Sequence, residues 1–582
     1  MSAGTAWTHC AGCGALLYGK KLSRNLYVCP HCEHHHRLTA PERIAQLTDP
    51  GSFRPLAGTV LATDVLDFAD RRPYRDRLVD ARRATGLSDA VVCGTARLAG
   101  LPVCLAVMDF RFMGGSLGVA VGEMITRAAE QALTTRMPLL IVTASGGARM
   151  QEGALALLQM AKVSQAIGAL GRAGVPTVSL VTDPTYGGVA ASFATNCDVI
   201  LVEQGARMGF AGPRVIEQTL RRKLPDDFQT ADFLLAHGQV DEVRPRREIR
   251  DWLVALLRAL QPAESVAPEP AGTDVLVRDP GALEAADAWA TVSLARDTRR
   301  PTALDYLRSA FDGFVELRGD RFGEDCPAIV AGFARLADRP VAVVGQQKGH
   351  HTKELVSRNF GMPQPAGYRK ALRVMRLAAK LHIPVVSLVD TPGAYPGAEA
   401  EANGQSFAIA SNILALFDLD TPVVTAVTGE GGSGGALALA VADRVLIAEH
   451  GIYSVISPEG CSSILWGDAG VAETAARALH LTAGDLLRLG VVDAVVPEPV
   501  GGAGGDATTM IENVGAALAH TLAELCARPV DELLHERRAR FRQIGADGFT
   551  TARADEAIVV RPAPAGPRTP RPALTAAGKA VG

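Results

Sequence analysis

No uninterrupted apolar run in the 582 residues reaches the ~18 that a membrane-spanning helix needs, and the N-terminus lacks the apolar core of a secretory signal. An excess of one charge is missing too. Lysine plus arginine number 59 and aspartate plus glutamate 62, a formal net charge of −3 that gives no global reason to expect membrane or nucleic acid. A cytoplasmic protein is the expectation. Ten cysteines do not read as a disulfide framework, because four sit in a metal spacing and six are scattered, as in a reducing compartment. Hydrophobic content of 48% and charged content of 21% are ordinary for a globular protein, and the length exceeds one core, so at least two domains are expected.

Cys10-x2-Cys13 and Cys29-x2-Cys32 carry the spacing of a four-thiolate zinc ribbon, with 15–28 long enough to form the hairpin between two knuckles. His9, His31 and His34, His35 and His36 stand nearby, but four thiolates already close a tetrahedral shell. A closed shell leaves no position for a reacting water, so the zinc is read as structural. Lys20, Lys21, Arg24 and Arg37 make the ribbon locally basic, which reads as a solvated face ahead of a phosphate or RNA contact.

The stretch 421–466, TPVVTAVTGEGGSGGALALAVADRVLIAEHGIYSVISPEGCSSILW, reads as a buried strand (423–427), a glycine turn (429–435), a short apolar helix (436–442) and a second strand (445–448). Glycines at the start of a helix leave amides unobstructed where they lack intrahelical partners and where the dipole favours negative charge. Such a turn holds phosphate, or an oxyanion that exists only during a reaction. Gly429, Gly431 and Gly434 satisfy G-x-G-x-x-G, with Glu449 closing the next strand, but about ten residues are too few for the crossover helix a dinucleotide unit requires.

An internal repeat decides between these readings. Pro138 in PLLIVTASGGAR aligns with Pro384 in PVVSLVDTPGAY, and Pro176 aligns with Pro422, both 246 residues apart, as are Glu203 and Glu449. Upstream, GTARLAGLPV from Gly94 matches GFARLADRPV from Gly332 at an offset of 238, so the second copy carries eight extra residues, placed in the QQKGHHTKE loop after Val344. Each copy has strand, glycine turn and helix at equivalent places: Gly146–Gly147 and Gly187–Gly188 in the first, 429–435 in the second. The first copy lacks G-x-G-x-x-G, which makes the dinucleotide fingerprint incidental.

Two amide cradles with no nucleophile or base triad suit transfer of a carboxyl group from an N-carboxylated urea to the α-carbon of a thioester. Each partner develops a negative oxygen in turn, and the displaced urea nitrogen removes the α-proton. Ser145 and Ser433 stand beside glycines, but G-x-S-x-G is absent and no histidine is placed as a partner.

The motifs resemble, in family order, the carboxyltransferase component of bacterial acetyl-CoA carboxylase, with β subunit fused to α. They are the CAGC…CPHC ribbon, SGGARMQEG (145–153), PTYGGVAASFA (184–194), GFAGPRVIEQT (209–219), LDYLRSAFDGFVELRGDR (304–321), NFGMPQPAGYRKALR (359–373), VDTPGAYPG (389–397), GEGGSGGALA (429–438) and YSVISPEGCSSILW (453–466). The resemblance implies an α/β fold: two crotonase-like (ClpP/crotonase superhelix) domains in tandem after a zinc ribbon. It implies carboxyl transfer from carboxybiotin on a carrier protein to acetyl-CoA, giving malonyl-CoA, at a site between a β-type and an α-type half. Carried over, Gly146 and Gly147 are expected to hold the acyl-CoA carbonyl and Gly434 and Gly435 the biotin ureido oxygen. Gly187, Gly188 and Ala436 are expected to bind cofactor, and Cys10, Cys13, Cys29 and Cys32 zinc.

The expected boundaries are 1–40 for the ribbon, 41–255 for the β-type domain, 256–300 for a linker, 301–545 for the α-type domain and 546–582 for a disordered tail. Neither an ATP-grasp region nor a Met-Lys-Met biotinylation motif occurs in the chain, so biotin carboxylase and biotin carboxyl carrier protein are expected as partners. A homodimer is expected, with neither membrane nor nucleic acid as main partner. The alternatives are a propionyl-CoA or other acyl-CoA carboxyltransferase, and a secondary RNA-binding role for the ribbon. Lys348, His350, His351 and Lys353 of the eight-residue insertion read either as partners for CoA phosphate or carboxybiotin or as a solvated loop.

Overall fold

The computed structural model describes residues 7–261 and 274–545. The expected tail, 546–582, and the Pro- and Ala-rich core of the expected linker, 262–273, lie outside the described residues. A short antiparallel hairpin, β1 (Trp7–His9) and β2 (Leu16–Tyr18), opens the chain.

Two sheets of matching order follow. The first contains β3 (Arg54–Pro55), β4 (Val91–Leu98), β5 (Leu101–Met108), β6 (Leu139–Ser145), β7 (Thr177–Tyr186), β8 (Val199–Glu203), β9 (Met208–Gly209) and β10 (Glu242–Arg244). The second contains β11 (Asp312–Glu316), β12 (Ile329–Leu336), β13 (Arg339–Gln346), β14 (Val385–Thr391), β15 (Val423–Gly432), β16 (Arg444–Ala448), β17 (Ile452–Ser454) and β18 (Ala494–Val496). Strands neighbour one another in chain order, except that β9 pairs with β7 and β17 with β15. In each sheet the first three strands, β3–β4–β5 and β11–β12–β13, pair antiparallel, and every later pairing is parallel. Both β6 and β14 are buried at every position, as continuous apolar runs in a parallel sheet covered on both faces require.

A doubly wound dinucleotide fold places its crevice where strand order reverses. Neither sheet reverses, and the Glu449 carboxylate already accepts the Glu498 amide at 3.0 Å. The extra residues of the second repeat lie where expected: 109–118 joins β5 to helix Val119–Thr135, whereas 347–364 joins β13 to helix Pro365–Lys380 and includes the helix Thr352–Ser357.

The halves meet at the starting ends of their strands. A cavity of about 630 Å³ there is lined by Pro102, Pro138 and Pro176 of the first half and by Pro340, Pro384 and Pro422 of the second. Lys380 Nζ reaches Asp198 at 2.6 Å, and helix Arg246–Ala259 runs past the expected boundary at 255 to pack against β11 and β12. Leu253, Leu256 and Leu257 of that helix share one core with Val315, Leu317 and Phe333. The fully buried Asp241 accepts from the Ile200 amide at 2.7 Å and pairs with Arg373 at 2.8 Å and with Arg321.

Residues 274–300 are not a linker in the structure. Val277 exchanges two backbone bonds of 2.9 Å with Val495, and helix Ala288–Ala295 lies against helix Ala472–Ala478. Their Ala- and Asp-rich composition hid a helix whose buried Ala288, Val292 and Ala295 recur at helical spacing on one face.

Replacing Asp241 with Ala strands two guanidinium groups of the other half. Because both arginines keep some solvent, the loss is expected at the low end for a broken buried pair, about 3 kcal/mol. It is read as a lower urea midpoint; an unchanged midpoint contradicts the role given to Asp241.

Candidate active site and metal centre

The four cysteine sulfurs of the ribbon lie within 4.8 Å of one another, with Cys10 Sγ 3.6 Å from Cys32 Sγ and Cys13 Sγ 3.9 Å from Cys29 Sγ. A tetrahedron of Zn–S bonds of about 2.3 Å has edges of about 3.8 Å, so the donor set fits zinc. The Gly12 and His31 amides donate to Cys10 and Cys29 Sγ at 3.3 and 3.4 Å, as two knuckles do. The ribbon is tied to the first half through buried charge. Glu203, at the end of β8, binds His35 at 3.1 Å and pairs with Arg43 and Arg246, while Arg246 Nη1 donates to the Leu26 carbonyl at 2.8 Å. Burial alone would raise the Glu203 carboxyl, but Arg43, His35 and Arg246 outweigh it and hold it far below the usual range. Arg37, read as part of a basic surface, contacts Asp183 at 3.2 Å and lies over the Phe110 ring.

In each sheet the parallel ladder between the two middle strands breaks at the same place. Thr143 faces Val181 but Ser145 faces Thr185; Val389 faces Val427 but Thr391 faces Gly431. Beyond the break the chain leaves β6 or β14 in a glycine loop, and β7 or β15 runs into a short helix, Gly187–Ala190 or Ser433–Leu437. The strand β15 extends to Gly432, five residues past the expected end, because β17 pairs with Glu430–Gly432 and turns the first glycines of the motif into sheet. The helix accordingly starts at Ser433 rather than at Ala436.

The first cradle joins two glycine pairs, Gly146–Gly147 and Gly187–Gly188, to which the family resemblance assigned separate roles. A Cβ on Gly147 would stand 3.6 Å from Gly187 Cα and 4.0 Å from the Gly188 nitrogen, and Gly147 has φ of +123°. The amides of Gly146 and Gly147 are themselves occupied: the first donates to the Gly114 carbonyl at 2.9 Å and the second to Ser145 Oγ at 3.0 Å. Among the described residues the loop amide of Ala148 has no partner, and Gly188 stands in the first turn of helix Gly187–Ala190, where amides lack intrahelical partners; these are the donors the cradle presents. Ser145 is fully buried and its hydroxyl serves the loop, which removes it as a nucleophile.

The second cradle repeats this geometry 246 residues on. Gly393, with φ of +152°, donates to Thr391 Oγ1 at 3.1 Å, the loop amide of Ala394 has no partner among the described residues, and Gly434 and Gly435 stand in the first turn of helix Ser433–Leu437, where amides lack intrahelical partners. A Cβ on Gly435 would stand 2.3 Å from the Ala394 nitrogen. The Gly435 carbonyl is fixed by Gln346 Nε2 at 2.9 Å and Tyr368 Oη at 3.3 Å, and Ala436 is buried behind it. Ala148, Gly393 and Ala394 were missed by sequence reasoning. The repeat held the signal for the last two, since Gly147 and Ala148 advanced by 246 are Gly393 and Ala394.

Each loop is anchored by a different buried ion cluster. Behind the first, the fully buried Arg149 binds Asp89 at 3.0 Å, Glu152 at 3.3 Å and the Ser116 carbonyl at 3.0 Å. Behind the second, Lys348 Nζ binds Asp390 and Glu430, each at 2.7 Å. Lys348 is therefore not available to CoA phosphate or carboxybiotin. His350 is held by Asp305 at 2.8 Å and by the Thr298 carbonyl at 2.7 Å, and His351 caps helix Thr352–Ser357.

Comparison with known proteins settles the family. The acetyl-CoA carboxylase zinc finger domain matches residues 7–32, the carboxyl transferase domain 33–230, and the acetyl co-enzyme A carboxylase carboxyltransferase-like family 281–545. The acetyl-coenzyme A carboxylase carboxyl transferase subunits beta/alpha of Salinispora tropica are 61% identical over 554 residues, covering 94% of this chain and 97% of theirs. The chain belongs to this family. The beta/alpha protein of Clostridium tetani is 42% identical over 540 residues, covering 93% of each chain. These relatives carry the same beta/alpha fusion, and the fold is a ribbon with two crotonase-like carboxyltransferase halves. A transcarboxylase 12S crystal structure, with methylmalonyl-coenzyme A bound, superposes with a TM-score of 0.67 at 24% identity, covering 84% of this chain and 90% of that one. At that identity the likeness bears on fold alone.

Cys13→Ala is expected to abolish stoichiometric zinc and lower thermal stability, because ribbon folding and metal binding are one equilibrium. Zinc measured by atomic absorption at an undiminished ratio contradicts the ligand set.

Proposed function

We propose that the chain transfers a carboxyl group from carboxybiotin on a carrier protein to acetyl-CoA, forming malonyl-CoA. The thioester oxygen takes the Ala148 and Gly188 amides and the ureido oxygen those of Ala394, Gly434 and Gly435. The observation that carries this reading is the pair of equivalent cradles whose amides face no internal acceptor, in a site that offers no nucleophile. Carboxybiotin supplies the carboxyl group and, once relieved of it, a urea nitrogen that takes the α-proton. The protein's part is electrostatic. Two amides aimed at the thioester oxygen stabilise the enolate, and the fixed positive end of a helix adds to them without reorganisation. Gly147 and Gly188 keep side chains out of the space the thioester enters.

Biotin carboxylase and the biotin carboxyl carrier protein are the partners with which this family works. Zinc stays a structural ion. One helix, Met150–Arg172, is long and apolar enough to cross a membrane by length and composition, but it packs along Val119–Thr135 and carries the first cradle's loop. A cytoplasmic location is the reading this supports.

Within one chain the cradles lie at the finishing ends of their strands, while the halves meet at the starting ends. Gly147 has only first-half neighbours and Gly435 only second-half ones. Large apolar side chains stand exposed beside both: Met150 at 82% and Phe210 at 77% near the first, and Phe407 at 80% near the second. We therefore assign the complete site to two copies of the chain, the first half of one facing the second half of the other.

Gly435→Val covers the Ala394 amide and is expected to lower kcat about 10²-fold or more, the scale of one lost oxyanion donor, with an unchanged far-UV spectrum. Malonyl-CoA formation at the wild-type rate removes this cradle from the mechanism. In sedimentation velocity, active protein is expected at twice the chain mass or a multiple of it; full activity in a monomer contradicts the two-copy site.

A further inference from the structure

The eight extra residues of the second repeat play no part in the transfer just described, yet they deliver Lys348. This residue follows β13 and turns inward, and its ammonium meets Asp390 Oδ1 and Glu430 Oε2, each at 2.7 Å. Asp390 lies on β14, three residues before Gly393; Glu430 lies on β15, three residues before Ser433. The two carboxylates thus sit on the neighbouring strands that feed the two sides of the second cradle, at the point where the ladder breaks. The Asp390 carboxylate also accepts the Glu430 amide at 2.9 Å, filling that gap.

We propose that Lys348 is a positioning residue of the second cradle, clamping its two loops at the separation the amide donors require.

The surroundings are shaped for this contact. A Cβ on Gly429 would lie 2.5 Å from Asp390 Oδ1, and one on Gly361, whose φ is +76°, would lie 2.6 Å from Lys348 Cγ. Without the ammonium, two buried carboxylates face each other across the loop boundary and repel. Arg296 binds the far side of Glu430 at 2.8 Å and Glu459 at 2.6 Å, while the Arg300 guanidinium is committed to Glu498 at 2.6 Å and the Thr428 carbonyl. None of these bridges Asp390 to Glu430. Burial would lower the Lys348 ammonium, but the two carboxylates outweigh it and hold it above its ordinary range. The first repeat has nothing comparable: 246 residues back, Asp390 and Glu430 become Ala144 and Pro184, and the lysine falls in the insertion. The cradle there is held by Arg149 instead.

The inference rests on the second cradle taking part in transfer, and its test separates the two. Full-length Lys348→Met and Lys348→Ala are assayed with carboxybiotinyl carrier and acetyl-CoA, beside Gly435→Val and with thermal unfolding of each. A displacement of the loops by about 1 Å costs ~10²-fold, so kcat is expected to fall on that scale with the acetyl-CoA KM within about twofold. A cavity of about 250 Å³ opens on Lys348, Asp390 and Glu430, so ethylammonium is expected to restore part of the Lys348→Ala kcat saturably and none of the Gly435→Val kcat. Lys348→Arg, which keeps the charge but changes its reach, is expected to fold and to lose kcat without a change in KM. If the Met and Ala variants do not fold, the Arg variant decides alone. Wild-type kcat in a folded Lys348 variant, or a loss confined to KM, overturns the clamp while Gly435→Val remains inactive. An active Gly435→Val sinks the underlying reading instead.

Discussion

Parallel strands can present backbone amides to a ligand only where their ladder stops, and in this chain it stops at one place, twice. At that break β6 and β14 leave the sheet as glycine loops, and β7 and β15 turn into the first residues of a helix. An exposed loop amide and an exposed helix amide then lie side by side. A break in the middle of a sheet leaves polar groups that must be bonded elsewhere. Ser145 and Thr391 hydroxyls take the Gly147 and Gly393 amides, and so leave only the next residue, Ala148 or Ala394, facing outward.

The two repeats solve the anchoring problem with different charges. Arg149, Asp89 and Glu152 hold the first loop; Lys348, Asp390 and Glu430 hold the second. Matching strand breaks with unlike supports are what two related but different substrates demand of a duplicated fold. The reaction needs negative oxygen stabilised on each partner in turn, and a preorganised amide costs nothing to reorient when the charge appears.

Much of this was legible in the residues. The cysteine spacing defined the ribbon because zinc coordination fixes it in sequence, and the 246-residue repeat located the Gly146–Gly147 loop and the glycine turns at 187–188 and 429–435, because proline and glycine mark strand ends independently of packing; the loop at Gly393–Ala394 lay in the same offset and went unread. The parts that stayed hidden depend on tertiary contact. That β15 continues to Gly432 follows from its pairing with β17, which no local pattern announces. That the Gly146 and Gly147 amides are occupied follows from Gly114 and Ser145, the former 32 residues away in the chain. Residues 274–300 looked like a linker by composition, and their helix declares itself only against the helix it packs on. The charged insertion read either as a ligand contact or as a solvated loop, and its Lys348 is neither, because two carboxylates on separate strands bury it.

The central claim is that one cradle from each of two chains completes a site, and mixing tests it most directly. Gly147→Val and Gly435→Val chains, each inactive alone, are co-expressed and assayed together. In a two-fold dimer with sites between chains, half the dimers are mixed and one of their two sites is intact, so about one quarter of wild-type activity is predicted. If both cradles of a site belong to one chain, every site carries a substitution. A mixture as inactive as its components would then contradict the account.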